Sequence, residues 1–244
     1  MISLGANPPR IISCDIFDTV LQRNAVSEAN RVVLIARCAA EMLAKERGLT
    51  VEVDALRRAR IDVQRYAYRA VDLLHPTGEV KFSSMMATMA ASLGLDHSAA
   101  ELLARAEIAT EATQLCANQS LIAWLTKRAA EGIRIIAISD TWHDSATIGD
   151  LLRALAPDHP VAKVYTSADL GATKRSAAIF PAILAQEGVA AGDIVHIGDD
   201  VTADVTMPRS AGLRAHRIDR PTLAIIGRRI DGARARMRER MPFQ

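Results

Sequence analysis

Aromatic residues make up only 4% of the 244-residue chain, so its core must be built mainly from aliphatic side chains. Cysteine is scarce: Cys14, Cys38 and Cys116 are widely spaced and odd in number. That excludes a zinc-type or paired redox pattern and suits buried or incidental thiols in a reducing cytoplasm. Neither sign of charge dominates, and a formal net charge of +2 gives no reason to expect nucleic acid as a partner. No apolar stretch reaches the roughly 18 residues of a membrane span. Met1–Arg10 lacks the apolar segment of a signal peptide. A cytoplasmic protein without a membrane span is the expectation; oligomeric state is not legible.

What the chain does contain is short apolar runs that end in polar residues. Ile11-Ile12 leads into Asp15-Ile16-Phe17-Asp18-Thr19, Ile133 to Ile138 into Ser139-Asp140, and Ile194 to Ile197 into Gly198-Asp199-Asp200 with Asp204. A strand-like stretch, Ala162 to Ser167, precedes the loop that carries Lys174. Such runs read as buried strands of a parallel sheet, and open α/β sheets place ligands at the carboxyl ends of their strands. Each polar residue alone reads most simply as a helix cap, a turn former or a surface lysine. Gathered in this order, clustered carboxylates repel one another, and a bound cation is the simplest thing to hold them together.

These four segments resemble the four motifs of the haloacid dehalogenase (HAD) superfamily of hydrolases. The resemblance implies an α/β fold: a Rossmann-like core with a mostly parallel sheet flanked by helices, plus an inserted α-helical cap. It also implies magnesium-dependent hydrolysis of a small phosphorylated metabolite through an aspartyl-phosphate intermediate. Asp15 would be the nucleophile, and Thr19, Ser139, Asp140 and Lys174 would hold the phosphate, with Lys174 also neutralising charge. Asp15, the Phe17 carbonyl, Asp199, Asp200 and Asp204 would hold magnesium, Asp204 alternatively orienting Lys174. A narrower resemblance, to HAD-like proteins associated with surface-polysaccharide glycosyltransferases, would make a sugar phosphate a reasonable substrate.

One departure stands out. The usual phosphatase motif is Asp-x-Asp-x-Thr, yet the middle position here is Phe17. The family's general acid is missing from its place, and Asp18, one residue late, either replaces it or acts as a structural cap. An aromatic residue there also matches dehalogenases, so a haloacid dehalogenase or phosphonate hydrolase is the competing enzyme reading. A non-catalytic binding module is the competing non-enzyme reading.

The expected division is a core of residues 1–23 and 117–244 with a helical cap of 24–116. Within the cap, Asn30 to Arg47, Val53 to Leu74, Ser83 to Leu93 and Ser98 to Ala117 carry helical spacing. Arg57, Arg58, Arg60, Arg65 and Arg69 read as a solvated basic face, alternatively as substrate contacts. His143 is expected in a loop beside the site, and His196 as a core residue. The tail from Pro221 carries Arg228, Arg229, Arg234, Arg236, Arg238 and Arg240 with Leu223, Ile226, Ile230 and Met237. It reads as an amphipathic helix packed on the core with its arginines solvated; membrane or partner binding is the alternative.

Overall fold

The computed structural model describes residues 7–240, without the side chains of 238–240. Most of the expected N-terminal segment and the side chains of Arg238 and Arg240 therefore lie outside the described residues. β1 (Ile11–Cys14) and β2 (Leu21–Arg23) precede four helices: α1 (Glu28–Arg47), α2 (Val53–Leu74), α3 (Phe82–Ser92) and α4 (His97–Thr113). Then come β3 (Leu115–Ala117), α5 (Gln119–Ala130), β4 (Arg134–Ser139), α6 (Ser145–Leu155), β5 (Lys163–Thr166), α7 (Ser167–Leu170) and α8 (Ile179–Glu187). β6 (Ile194–Gly198), a π-helical turn (Val201–Thr206), α9 (Met207–Ser210), β7 (Arg214–Arg217) and α10 (Thr222–Arg240) follow.

Five strands form one sheet in the order β5-β4-β1-β6-β7, and all its pairings are parallel. β1 is wholly buried at the centre, which is why its side chains are apolar or small on both faces. Cys14 stands beside Ala137 of β4 and Ile197 of β6. The residues that leave β1, β4 and β6 thus emerge side by side at one edge. Below them Ile11, Ile136, Ile138, Ile179, Phe180, Ile183 and Ile194 form a mostly aliphatic core, as the shortage of aromatics requires.

The chain divides into two compact units. One holds residues up to Gln22, Val71–Val80 and Cys116–Arg220; the other holds Arg23–Ala70, Lys81–Leu115 and Pro221 onward. This grouping places α10 with the helices of the second unit, whereas the expected division assigned it to the core. In that second unit α1 packs on α4, and α3 on α4, and Ile35, Ala39, Met86, Met89, Leu103 and Ala106 of these helices are all buried.

Two expectations for the helical segment are corrected. The last helix ends at Thr113, and Leu115–Ala117 is a strand paired with β2; a pairing this distant in sequence leaves no local periodicity to betray it. Arg60 is no solvated residue. It is buried, and its guanidinium makes two 2.6 Å hydrogen bonds to Glu107, also buried. No helix among the described residues is long and apolar enough to cross a membrane.

Candidate active site

Asp15 is the first residue beyond β1, and its amide still donates to the carbonyl of Ile197 at 2.8 Å. The chain then reverses sharply. The amide of Leu21 donates to Ile16, and the amide of Asp18 donates back to Leu21. Asp18 sits at the apex with φ +60°, a left-handed conformation that favours glycine but that Asp tolerates better than most residues. Both Asp15 and Asp18 are buried.

Lys174 lies in the middle of the carboxylates. Its Nζ is 2.6 Å from Asp15 Oδ1 and 2.6 Å from Asp204 Oδ1, with 2% of the residue exposed. Burial works against the charge of this ammonium, yet Asp15 and Asp204 outweigh it and raise its pKa above the ordinary lysine value. Asp15 moves the other way from a normal carboxyl. Burial raises it to about 7 despite the opposing pull of Lys174, with Asp204 adding to the rise. Burial also pushes Asp204 upward, but Lys174 and His196 outweigh it and hold that carboxylate below its usual range.

Behind Lys174 runs a closed polar chain. His196 Nε2 is 3.1 Å from Asp204 Oδ1, and His196 Nδ1 is 2.8 Å from Ser13 Oγ. A carboxylate only accepts, so the ring donates from Nε2 and accepts the Ser13 hydroxyl at Nδ1. Burial lowers the pKa of His196 and keeps it neutral. The remaining oxygen of Asp204 accepts the Asp200 amide at 2.9 Å. Gly198 makes room for this carboxylate, because a Cβ there would fall on the Asp204 side chain.

Asp199 accepts from Thr19 Oγ1 at 3.2 Å and from the guanidinium of Arg220. Arg220 Nε also lies 3.9 Å from Asp18 Oδ2. Burial raises the pKa of Asp199, with Arg220 opposing. Asp15, Asp199 and Asp204 each offer an oxygen, and these oxygens lie within 4.8 Å of one another. Three hard carboxylate donors so close together fit a divalent cation.

The other expected residues separate by what they touch. Ser139 Oγ is buried without a hydrogen-bond partner among the described residues, an unusual state for a buried hydroxyl and one suited to a ligand's oxygen. Both Asp140 oxygens accept backbone amides, those of Lys174 at 2.6 Å and Arg175 at 3.1 Å; its side chain fixes the Lys174 loop where a phosphate contact was expected. Asp200 lies outside the three-carboxylate group: it caps the following turn through the Thr202 and Ala203 amides and pairs with Arg175 at 3.1 Å. His143 is buried, and its Nε2 accepts from Trp142 at 3.1 Å. Cys14 is buried, and burial pushes its thiol up to about 12.

Sequence reasoning missed Ser13, Arg175 and Arg220. Arg220 follows β7, whose Arg-Ala-His-Arg sequence carries no apolar run to mark a strand end. Its signal was positional only: it stands at the same sheet edge as the other motifs.

No family model matches the chain, and no curated protein matches it. Solved structures do. A HAD family enzyme from Bacteroides thetaiotaomicron matches with a TM-score of 0.58 and 11% identity, over 90% of this chain and 98% of that one. The same enzyme in complex with magnesium and inorganic phosphate matches at 0.54 and 12%, over 86% and 94%. A 2-haloacid dehalogenase from Pseudomonas syringae pv. Tomato DC3000 matches at 0.52 and 19%, over 84% of each chain. The chain thus has the HAD-like fold, a Rossmann-like sheet with a helical insert.

Proposed function

On a HAD-like fold carrying this set of side chains, we propose that the protein is a magnesium-dependent phosphohydrolase of small phosphorylated metabolites, with Asp15 as nucleophile. The observation that carries this reading is the buried Asp15–Lys174–Asp204 cluster beside the unpartnered hydroxyl of Ser139. An Asp15 oxygen attacks phosphorus as the bond from phosphorus to the leaving oxygen breaks. Water then attacks the acyl-phosphate, restoring the carboxylate and releasing phosphate. Lys174 and Ser139 bind and orient the phosphoryl oxygens, and the Ser13–His196–Asp204 chain holds Lys174 in register. Asp15 and Asp199, with Asp204 adjoining, would hold magnesium, which offsets phosphoryl charge in such reactions. In this reading Asp18 takes over proton donation to the leaving oxygen, the role Phe17 cannot fill. The helical insert is the proposed cap. The magnesium and phosphate bound by the Bacteroides thetaiotaomicron enzyme support this choice of cation and substrate. The test is phosphate release from a panel of sugar phosphates and other phosphate esters, with magnesium and with chelator.

Phe17, and the Arg220 guanidinium held against Asp199, favour a second reading, hydrolysis of a 2-haloacid without metal. That reading predicts halide release unaffected by chelator.

A further inference from the structure

α10 packs through small residues. A Cβ on Gly227 would lie 2.6 Å from that of Ala25, so glycine permits close approach there. Gly232 and Ala235 are buried as well. Asp231 accepts from the Ser27 amide at 2.7 Å and from Asn30 at 2.8 Å, and Arg228 donates to the carbonyls of Arg23 and Asn24. The inner face is thus mostly polar and small, with Ile225 half-buried, and the other large apolar residues point outward: Leu223 is 84% exposed, Ile226 47%, Ile230 49% and Met237 64%. The expectation that this apolar stripe packs on the protein is reversed.

At 3.6 residues per turn these four side chains fall in a stripe about 60° wide. At the same spacing Arg234 flanks the stripe closely on one side and Arg229 on the other, with Arg236 about 20° further round, and all three are exposed. Asp231 lies on the packed side. Four large apolar residues aligned in water mark an interaction site rather than scattered exposure.

We propose that this face of α10 binds an anionic lipid surface as an amphipathic helix lying in the interfacial plane. Apolar side chains enter the headgroup–acyl boundary while arginines on both flanks extend their heads to lipid phosphates or carboxylates. A second copy of the chain suits the face poorly, since helices joined along the stripe would bring like-charged arginine rows together.

The test is co-sedimentation of the full chain with vesicles of phosphatidylcholine alone, and with roughly 30% phosphatidylserine, at about 0.1 M salt. The protein should sediment with the anionic vesicles only. Arg229→Gln with Arg234→Gln should weaken partitioning roughly twenty- to thirtyfold, each arginine contributing about fivefold. Ile226→Ser with Ile230→Ser should abolish binding, and about 0.5 M salt should release the wild type. Melting temperature checks each variant; should the serine pair unfold, the arginine pair and the salt response still decide. Absence of binding to anionic vesicles overturns the proposal. So does a wild-type dimer in light scattering that the serine pair dissociates, or capture of an acidic protein through the stripe without lipid binding.

Discussion

The ammonium of Lys174 lies 2.6 Å from Oδ1 of Asp15, across 159 residues of sequence. That nitrogen also holds Asp204, and Arg220 holds Asp199. Lys174 and Arg220 thus lie among Asp15, Asp18, Asp199 and Asp204, and carboxylates crowded this closely attract a further cation.

At the proposed metal site, Arg220 would compete with that cation for Asp199. Replacing it with Gln removes a charged donor from the carboxylate, and a hydrogen bond to a charged group contributes about 1.5 kcal/mol or more. Manganese titration of Arg220→Gln, followed by paramagnetic resonance, should show binding roughly tenfold tighter than wild type at that figure. Unchanged or weaker binding would mean that Arg220 supports the metal site instead of opposing it.

His196 acts through Asp204. His196→Phe keeps the bulk beside Phe180 but strands the Ser13 hydroxyl and removes a donor from Asp204. Urea unfolding should report a loss of about 1–3 kcal/mol. His196→Asn, which retains a donor, should lose less. Equal losses would show that the ring's packing, not its hydrogen bonds, matters.

Metal binding should release a proton. Asp15 is raised to about 7, chiefly by burial, so its folded value lies above its unfolded one. The fold therefore gains from the protonated form. That contribution is complete below the unfolded carboxylate value and is lost as pH rises through about 7. A cation bound to Asp15 requires the carboxylate. Calorimetry of magnesium binding in buffers of different ionisation enthalpy should find about one proton released at pH 6, falling toward zero at pH 8. Release independent of pH across that range would contradict the assignment.

Asp18→Asn should discriminate between leaving groups. Alkyl phosphates, whose leaving oxygen needs a proton, should slow by about a hundred- to ten-thousandfold. A nitrophenyl phosphate, whose leaving group departs as the anion, should change little. Equal effects on both would return Asp18 to the role of a turn residue in the left-handed conformation.

The parts of the fold legible in the sequence are those whose signal is local. β1, β4 and β6 are buried along almost their whole length, so they read as apolar runs, and their polar ends named Asp15, Ser139 and Asp199; Lys174 lies in the loop after β5 and α7. β3 reads as helix in the sequence because its partner, β2, lies far away along the chain. β7 went unread because an edge strand of arginine, alanine and histidine carries no apolar run. α10 was legible as a helix, but its orientation was not: Gly227 helps choose the packed side by allowing close approach to Ala25, an effect that hydrophobic periodicity does not encode. Asp140 and Asp200 were legible as polar strand ends, yet only the fold shows their oxygens committed to backbone amides.

The most direct test of the central claim is release of inorganic phosphate by the wild type and by Asp15→Asn, each with magnesium and with chelator. The account predicts turnover that requires magnesium and falls by at least about a thousandfold in the variant, as expected when a covalent nucleophile is removed. Phosphate release that survives Asp15→Asn would contradict it.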